Sequence, residues 1–172
     1  AIYRQPFYRL VHAEGDYLPG LTIDRFGDVC VVQITTAGME ALLPPLLKAL
    51  DAVIAPTDVI LRADTPSRAL EGLESYVRAE KGEATRIAVE ENGIRYFADL
   101  SGGQKTGWYY DQRDNRAFMA ALAKDKAVLD AYCYTGGFAL AAAKGGAKEV
   151  VALDSSAPAL ALAEESAASN GV

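Results

Sequence analysis

The stretch VLDAYCYTGGFAL, residues 128–140, runs an apolar segment into Thr135-Gly136-Gly137 and straight on into alanine-rich helical sequence. A strand, a glycine turn and a helix in that order leave the N–H groups of the helix start facing whatever lies above the strand ends, and glycine lets a ligand approach the main chain closely. A second apolar run, EVVAL, is closed by Asp154. At the end of the strand after a glycine turn, nucleotide-binding α/β units place a carboxylate that holds ribose hydroxyls. Taken alone, the glycines read as a tight turn and Asp154 as a helix-start residue. Together, in this order, they favour a ligand of adenosine type.

The dinucleotide fingerprint G-x-G-x-x-G is absent, because the loop has one adjacent glycine pair preceded by Tyr132 and Tyr134. That disfavours NAD. A cofactor without a pyrophosphate needs fewer close backbone approaches, and S-adenosylmethionine meets that requirement. Just upstream, QKTGWYYDQRDNR gathers Lys105, Trp108, Tyr109, Tyr110, Gln112 and Arg113 around one turn and helix start. The plainer reading of Trp108 is an aromatic plug between domains.

The elements that must position these residues fall into two styles. Residues 8–36 read as short strands joined by turns at Gly15-Asp16, Pro19-Gly20 and Gly27-Asp28. Residues 39–53 have helical apolar spacing with Pro44 and Pro45 near the front, and residues 59–64 give another strand. The stretch 65–86 is polar and broken by glycine, and Asn92-Gly93 between alternating runs predicts a hairpin. Residues 1–100 therefore read as an α+β module. From residue 101 strands and helices alternate: a helix over 111–123, a strand over 127–131, a helix over 138–144, a strand over 149–153. A last helix is capped by Ser155 or Ser156, with Pro158 in its first turn, and runs toward Asn170-Gly171. Parallel strands with right-handed crossovers follow, the opening of a doubly wound α/β sheet. Two parallel strands are too few for a stable open sheet, which implies a piece of a longer enzyme.

Composition narrows the classes. The 172 residues are 51% apolar and 23% charged, with no run near the ~20 apolar residues of a membrane span. The N-terminal AIYRQPFYRL has no charged head before an apolar stretch, so no secretory leader is expected and the cytoplasm is the default. Cys30 and Cys133 sit in apolar segments and read as buried reduced thiols. His12 has no second histidine or cysteine at ligand spacing, so no metal site is expected. A net charge of −6 argues against a surface wrapped in phosphate contacts, leaving any RNA-binding face local.

The segments GGQKTGWYYDQRDNR, VLDAYCYTGGFAL and EVVALDSS, with LPGLTIDRFGD and the EENG hairpin further upstream, resemble the large-subunit ribosomal RNA methyltransferases that modify the 5-position of cytosine. The resemblance covers nearly the whole chain. It implies an α+β central domain over residues 1–100 with an RNA-docking or linker role, after an RNA-binding PUA domain that lies outside this sequence. Residues 101–172 would be the first β-α-β-α portion of a Rossmann-like class I methyltransferase domain. It also implies that the cofactor is S-adenosyl-L-methionine and the partner ribosomal RNA. By resemblance, Lys105, Tyr109, Gln112 and Arg113 lie in the segment that closes over the cofactor. Tyr134, Thr135, Gly136, Gly137 and Phe138 form the glycine loop at its methionine portion, and Asp154 holds the ribose.

Methylation at that carbon requires a cysteine thiolate to add to the ring and a base to remove the proton afterwards. In the resembled family both follow later strands, so no residue here is assigned a catalytic role. Cys133 and Cys30 are expected to be packing residues, and the isolated chain is expected to be inactive. A different reading is a non-catalytic module that docks RNA or protein, its partial Rossmann unit only completing the core. Methylation of another base or of a small molecule uses the same unit. An open sheet edge invites self-pairing, so a homodimer is also expected.

Overall fold

The computed structural model describes residues 5–172. The first four residues of the N-terminal stretch read above lie outside it. Contacts divide the chain into two compact units: residues up to Arg86 with Asp99–Trp108, and Ile87–Ala98 with Tyr109–Val172.

The first unit is a five-stranded mixed sheet in sequential order: β1 (Phe7–His12), β2 (Leu21–Phe26), β3 (Val29–Ile34), β4 (Asp58–Ala63) and β5 (Tyr76–Lys81). β1–β3 are antiparallel, with Asp24 opposite Arg9 and Val31; residues 13–20, opening with a 3-10 turn, join β1 to β2, and Gly27-Asp28 alone turn β2 into β3. β3 and β4 run parallel, Val31 opposite Ile60, and a parallel pair needs a crossover. Residues 35–57 supply it as α1 (Ala37–Ala41) and α2 (Leu43–Ile54). The single helix expected over 39–53 is thus two. Pro44 and Pro45 lack the N–H that a continuous helix would need there, and sit at the start of α2, where no such bond is required. Leu21, Ile23, Cys30, Val32, Met39, Leu43 and Leu61 form the core between sheet and helices.

The stretch 65–86 contains a short 3-10 turn and strand β5, which the sequence reading missed. β5 pairs only along β4, and five of its six residues are exposed, so its sequence YVRAEK carries no apolar alternation.

The second unit begins with the hairpin β6 (Arg86–Glu91) and β7 (Ile94–Asp99), closed by Asn92 and Gly93 at φ 52° and 76°. Two left-handed residues make the tight hairpin turn that Asn-Gly favours. Next come α3 (Arg113–Leu122), β8 (Ala127–Ala131), α4 (Gly137–Lys144), β9 (Glu149–Leu153) and α5 (Ala157–Asn170). β8 and β9 are parallel, Leu129 opposite Val151, as the alternating pattern requires. Ser156 caps α5 by accepting the Ala159 N–H, with Pro158 in the first turn.

Side chains on α3 and α5 fasten the hairpin to this unit. Glu91, 3% exposed, takes Arg116 at 2.7 and 2.8 Å and Arg113 at 3.2 Å. At the other strand, the Asn170 amide accepts the Arg95 N–H (3.1 Å) and donates to the Arg95 carbonyl (2.6 Å). The Ser166 hydroxyl accepts the Phe97 N–H (3.0 Å). One helical turn of α5 thus supplies the hydrogen-bonding partners that a third strand would have given β7. Among the described residues, no helix is long and apolar enough to cross a membrane.

Candidate cofactor loop

β8 delivers the chain to the loop 132–136, and the loop opens α4. Tyr132, Tyr134 and Gly136 have φ of 63°, 51° and 76°. Alternating left-handed residues with ordinary ones curls successive N–H groups into the kind of concavity that receives anions. Gly136 is obligatory: besides its φ, a Cβ there would stand 2.8 Å from Leu140 and 2.9 Å from Ala163. Packing between α4 and α5 therefore uses the space that the missing side chain leaves.

Gly136 is also the N-cap of α4 and has no side chain to cap with. Asp130, on the preceding strand β8, does so instead, accepting the Ala139 N–H at 2.8 Å. Its carboxyl is raised above the ordinary value, first by burial and then by the nearby charge of Asp154. The N–H groups of Gly137 and Phe138 find no acceptor among the described residues. Asp130 was missed in the sequence reading, although an acid ending the strand before a glycine turn was a visible signal.

Asp154, just past β9, reaches across to the loop. One oxygen accepts the Tyr134 N–H and the other the Ser156 N–H, both at 2.8 Å. These two bonds, Ser156 first, hold its carboxyl below the ordinary value, so it is charged at neutral pH. A carboxylate offers about four acceptor positions, which leaves room for further hydroxyl donors. Between these groups lies Thr135, with no exposed surface and a hydroxyl that has no partner among the described residues. A buried hydroxyl without a partner costs ~1–3 kcal/mol, and a ligand accepting from it would remove that cost.

Of the residues singled out from the sequence, Tyr134, Thr135, Gly136, Gly137, Phe138 and Asp154 come together here. Tyr109 joins them, its ring edge-on to Tyr134 at 5.9 Å. Gln112 is occupied at the start of α3, donating to Asp111 and accepting from Asn115. Arg113 is held by Glu91 and lies over the Tyr110 ring. Lys105 belongs to the segment grouped with the first unit, where it is exposed at φ 54°. Trp108, in that segment too, is buried.

Neither thiol is set up as a nucleophile. Cys30 is buried in β3, and burial pushes its thiol up to about 11. Cys133 is also raised, by burial first and then by the charges of Asp130 and Asp154.

The donor set fits an S-adenosylmethionine-like molecule: open N–H groups and an orphan hydroxyl suit a carboxylate, and Asp154 suits ribose hydroxyls. The sequence pattern of the S-adenosylmethionine-dependent methyltransferases matches residues 62–172. The ribosomal RNA large subunit methyltransferase I of Tolumonas auensis is 45% identical over 166 residues, which are 95% of this chain and 42% of that protein. The chain thus spans about two fifths of the curated relatives it matches. A Streptococcus mutans protein described as a SAM-dependent methyltransferase superposes with a TM-score of 0.83 at 26% identity, over 98% of this chain and 43% of its own. A methyltransferase structure complexed with SAH gives 0.83 at 27% identity, over the same 98% and 43%. On the pattern that runs from β4 to the end of α5, the chain belongs to the S-adenosylmethionine-dependent methyltransferase family.

Proposed function

We propose that this chain is the central and cofactor-loop portion of an enzyme that methylates the 5-position of a cytosine in large-subunit ribosomal RNA. The observation that carries the cofactor half is the loop itself: a buried, unpartnered Thr135 hydroxyl between open helix-start N–H groups and the Asp154 carboxylate. The RNA half rests on the similarity to relatives named for that substrate.

In this reading the sulfonium of bound S-adenosylmethionine supplies an electrophilic methyl group. Thr135, Gly136, Gly137 and Phe138 bind its carboxylate end, Asp154 orients the ribose, and Tyr109 braces Tyr134 at the loop's edge. Lys105, Gln112 and Arg113 belong to the segment that closes over the cofactor. Residues 1–100 dock RNA or link domains, and residues 101–172 open the methyltransferase domain. The two thiols are packing groups, because their raised values leave little thiolate at neutral pH. The nucleophile and base come from outside these residues, and the chain alone does not transfer methyl groups. The cytoplasm is the site of action, and self-pairing of an open sheet edge gives a homodimer.

A chimera tests this. The matching 166 residues of the Tolumonas auensis protein are replaced by this chain. With labelled S-adenosylmethionine, label is expected at the 5-position of a cytosine in large-subunit RNA. Label on another base, or a folded chimera that transfers nothing while its parent does, contradicts the proposal.

A further inference from the structure

At the end of the second unit opposite the glycine loop, lysines gather where the parallel strands begin. Lys124 and Lys126 stand in the turn between α3 and β8, and Lys148 directly precedes β9. All three are exposed, and among the described residues none joins an ion pair or donates to a carbonyl. The acids interleaved with them, Asp125 and Glu149, are exposed and also form no ion pair among the described residues. In a chain of net charge −6, this end is locally basic.

The main chain fixes these lysines close together. The Lys148 N–H donates to the Lys126 carbonyl at 2.8 Å, the Asp125 N–H to the Gly146 carbonyl at 2.9 Å, and the Lys126 N–H to the Ala123 carbonyl at 3.0 Å. Lys124 closes on the same turn: Gly146, at φ 90°, leaves open space, and a Cβ there would stand 3.7 Å from the Lys124 Cγ. Gly145 is pressed against α3, where a Cβ would overlap the Ala120 carbonyl.

Helices α3 and α4 both end here, and a lysine that meets the last carbonyls of a helix stabilises it by ~0.3–1 kcal/mol. Lys144 acts in that way, donating to the Asn170 carbonyl at the end of α5 (3.2 Å). Lys124, Lys126 and Lys148 hold no carbonyl, so capping does not account for them. Unpaired ammonium groups on a fixed turn suit a polyanion whose charges repeat, as backbone phosphates do.

We propose that Lys124, Lys126 and Lys148 form a docking surface for the phosphate backbone of RNA. This rests on the ribosomal RNA reading above and adds a surface which that reading does not use. Five-residue strands rising ~3.3 Å per residue set it ~16 Å from the cofactor loop. The phosphates it holds therefore belong to nucleotides away from the one at the loop, and it contributes affinity without reading bases.

A labelled RNA hairpin is titrated into the 172-residue chain at several salt concentrations, beside Lys126→Glu, Lys148→Glu and Lys48→Glu. Lys48 is an exposed lysine of α2 in the first unit, and all three variants change the net charge equally. Lys126→Glu and Lys148→Glu are each expected to bind about tenfold more weakly at about 50 mM salt, with a salt slope lower by about 1–2. Lys48→Glu is expected within about twofold of the parent chain. An equal loss in Lys48→Glu means that affinity follows net charge alone and overturns the surface. Parent-like binding in both Lys126→Glu and Lys148→Glu places the RNA elsewhere and overturns it too. A parent chain that binds no RNA also overturns the surface, while the chimera above, which reads methylated cytosine, decides the ribosomal RNA reading separately. Tighter binding of poly-L-glutamate than of the hairpin, lost in Lys126→Glu, assigns these lysines to an acidic protein and overturns the proposal.

Discussion

The carboxylate of Asp154 accepts the backbone N–H of Tyr134 at 2.8 Å, tying the end of one parallel strand to the loop that follows its neighbour. The bond means that Asp154 shapes the loop as well as facing whatever the loop holds. Tyr134 is a bulky residue in left-handed conformation, which costs ~1–2 kcal/mol and persists only where its surroundings hold it.

Asp154→Ala is therefore expected to release the Tyr134 amide, seen as faster hydrogen exchange there with the β8 and β9 amides unchanged. The bond depends on charge. The folded value of Asp154 lies below its ordinary 3.8, so the stabilisation is present above 3.8 and is lost as pH falls through the lower folded value. Protection of Tyr134 should be constant from neutral pH to about pH 5 and decline only in stronger acid. A decline near neutral pH would contradict the assignment.

Glu91 and Arg116 are each about 3% exposed and pair through both oxygens. Glu91→Ala leaves a buried guanidinium without its counter-charge, a change that typically costs ~3–5 kcal/mol. Urea unfolding should show that loss, with a smaller one for Glu91→Gln. A shift below ~1 kcal/mol in Glu91→Ala would show that the pair does not hold the hairpin.

Asn170→Ala removes both hydrogen bonds to Arg95, at an exposed edge, and is expected to cost ~1–2 kcal/mol. Exchange at the Arg95 amide should accelerate while Val89, buried on the opposite strand, stays protected. Equal acceleration at both would mean that the hairpin opens as one piece.

Burial pushes Cys30 from 9.0 up to about 11. A value raised in the folded state gives stability that is complete below 9.0 and is lost as pH rises through about 11. The fall in the urea midpoint between about pH 8.5 and 10.5 should be smaller in Cys30→Ala than in the parent chain. An identical fall in both would place the alkaline loss in other groups.

Much of this arrangement was legible in local sequence. Asn92-Gly93 specified its turn, Ser156 with Pro158 specified the start of α5, and the order strand, glycine turn, helix, strand, acid placed Asp154 beside the loop. What the sequence hid was set at long range. β5 is an exposed edge strand, recognisable only by its pairing with β4. The hairpin reads as a continuation of the first module, yet it groups with the second unit because Glu91 meets α3 and Arg95 meets α5, up to 75 residues away. The left-handed backbone at Tyr132 and Tyr134, neither of them glycine, gave no local signal.

The most direct measurement is an amide chemical-shift titration of the 172-residue chain with S-adenosylhomocysteine up to several times ~1 mM, beside Asp154→Ala. Shifts are expected to centre on Thr135, Gly136, Gly137 and Phe138, saturating in the parent chain and lost or much weakened in the variant. Shifts confined to other residues, or none at saturating ligand, would contradict the claim that this loop holds the cofactor.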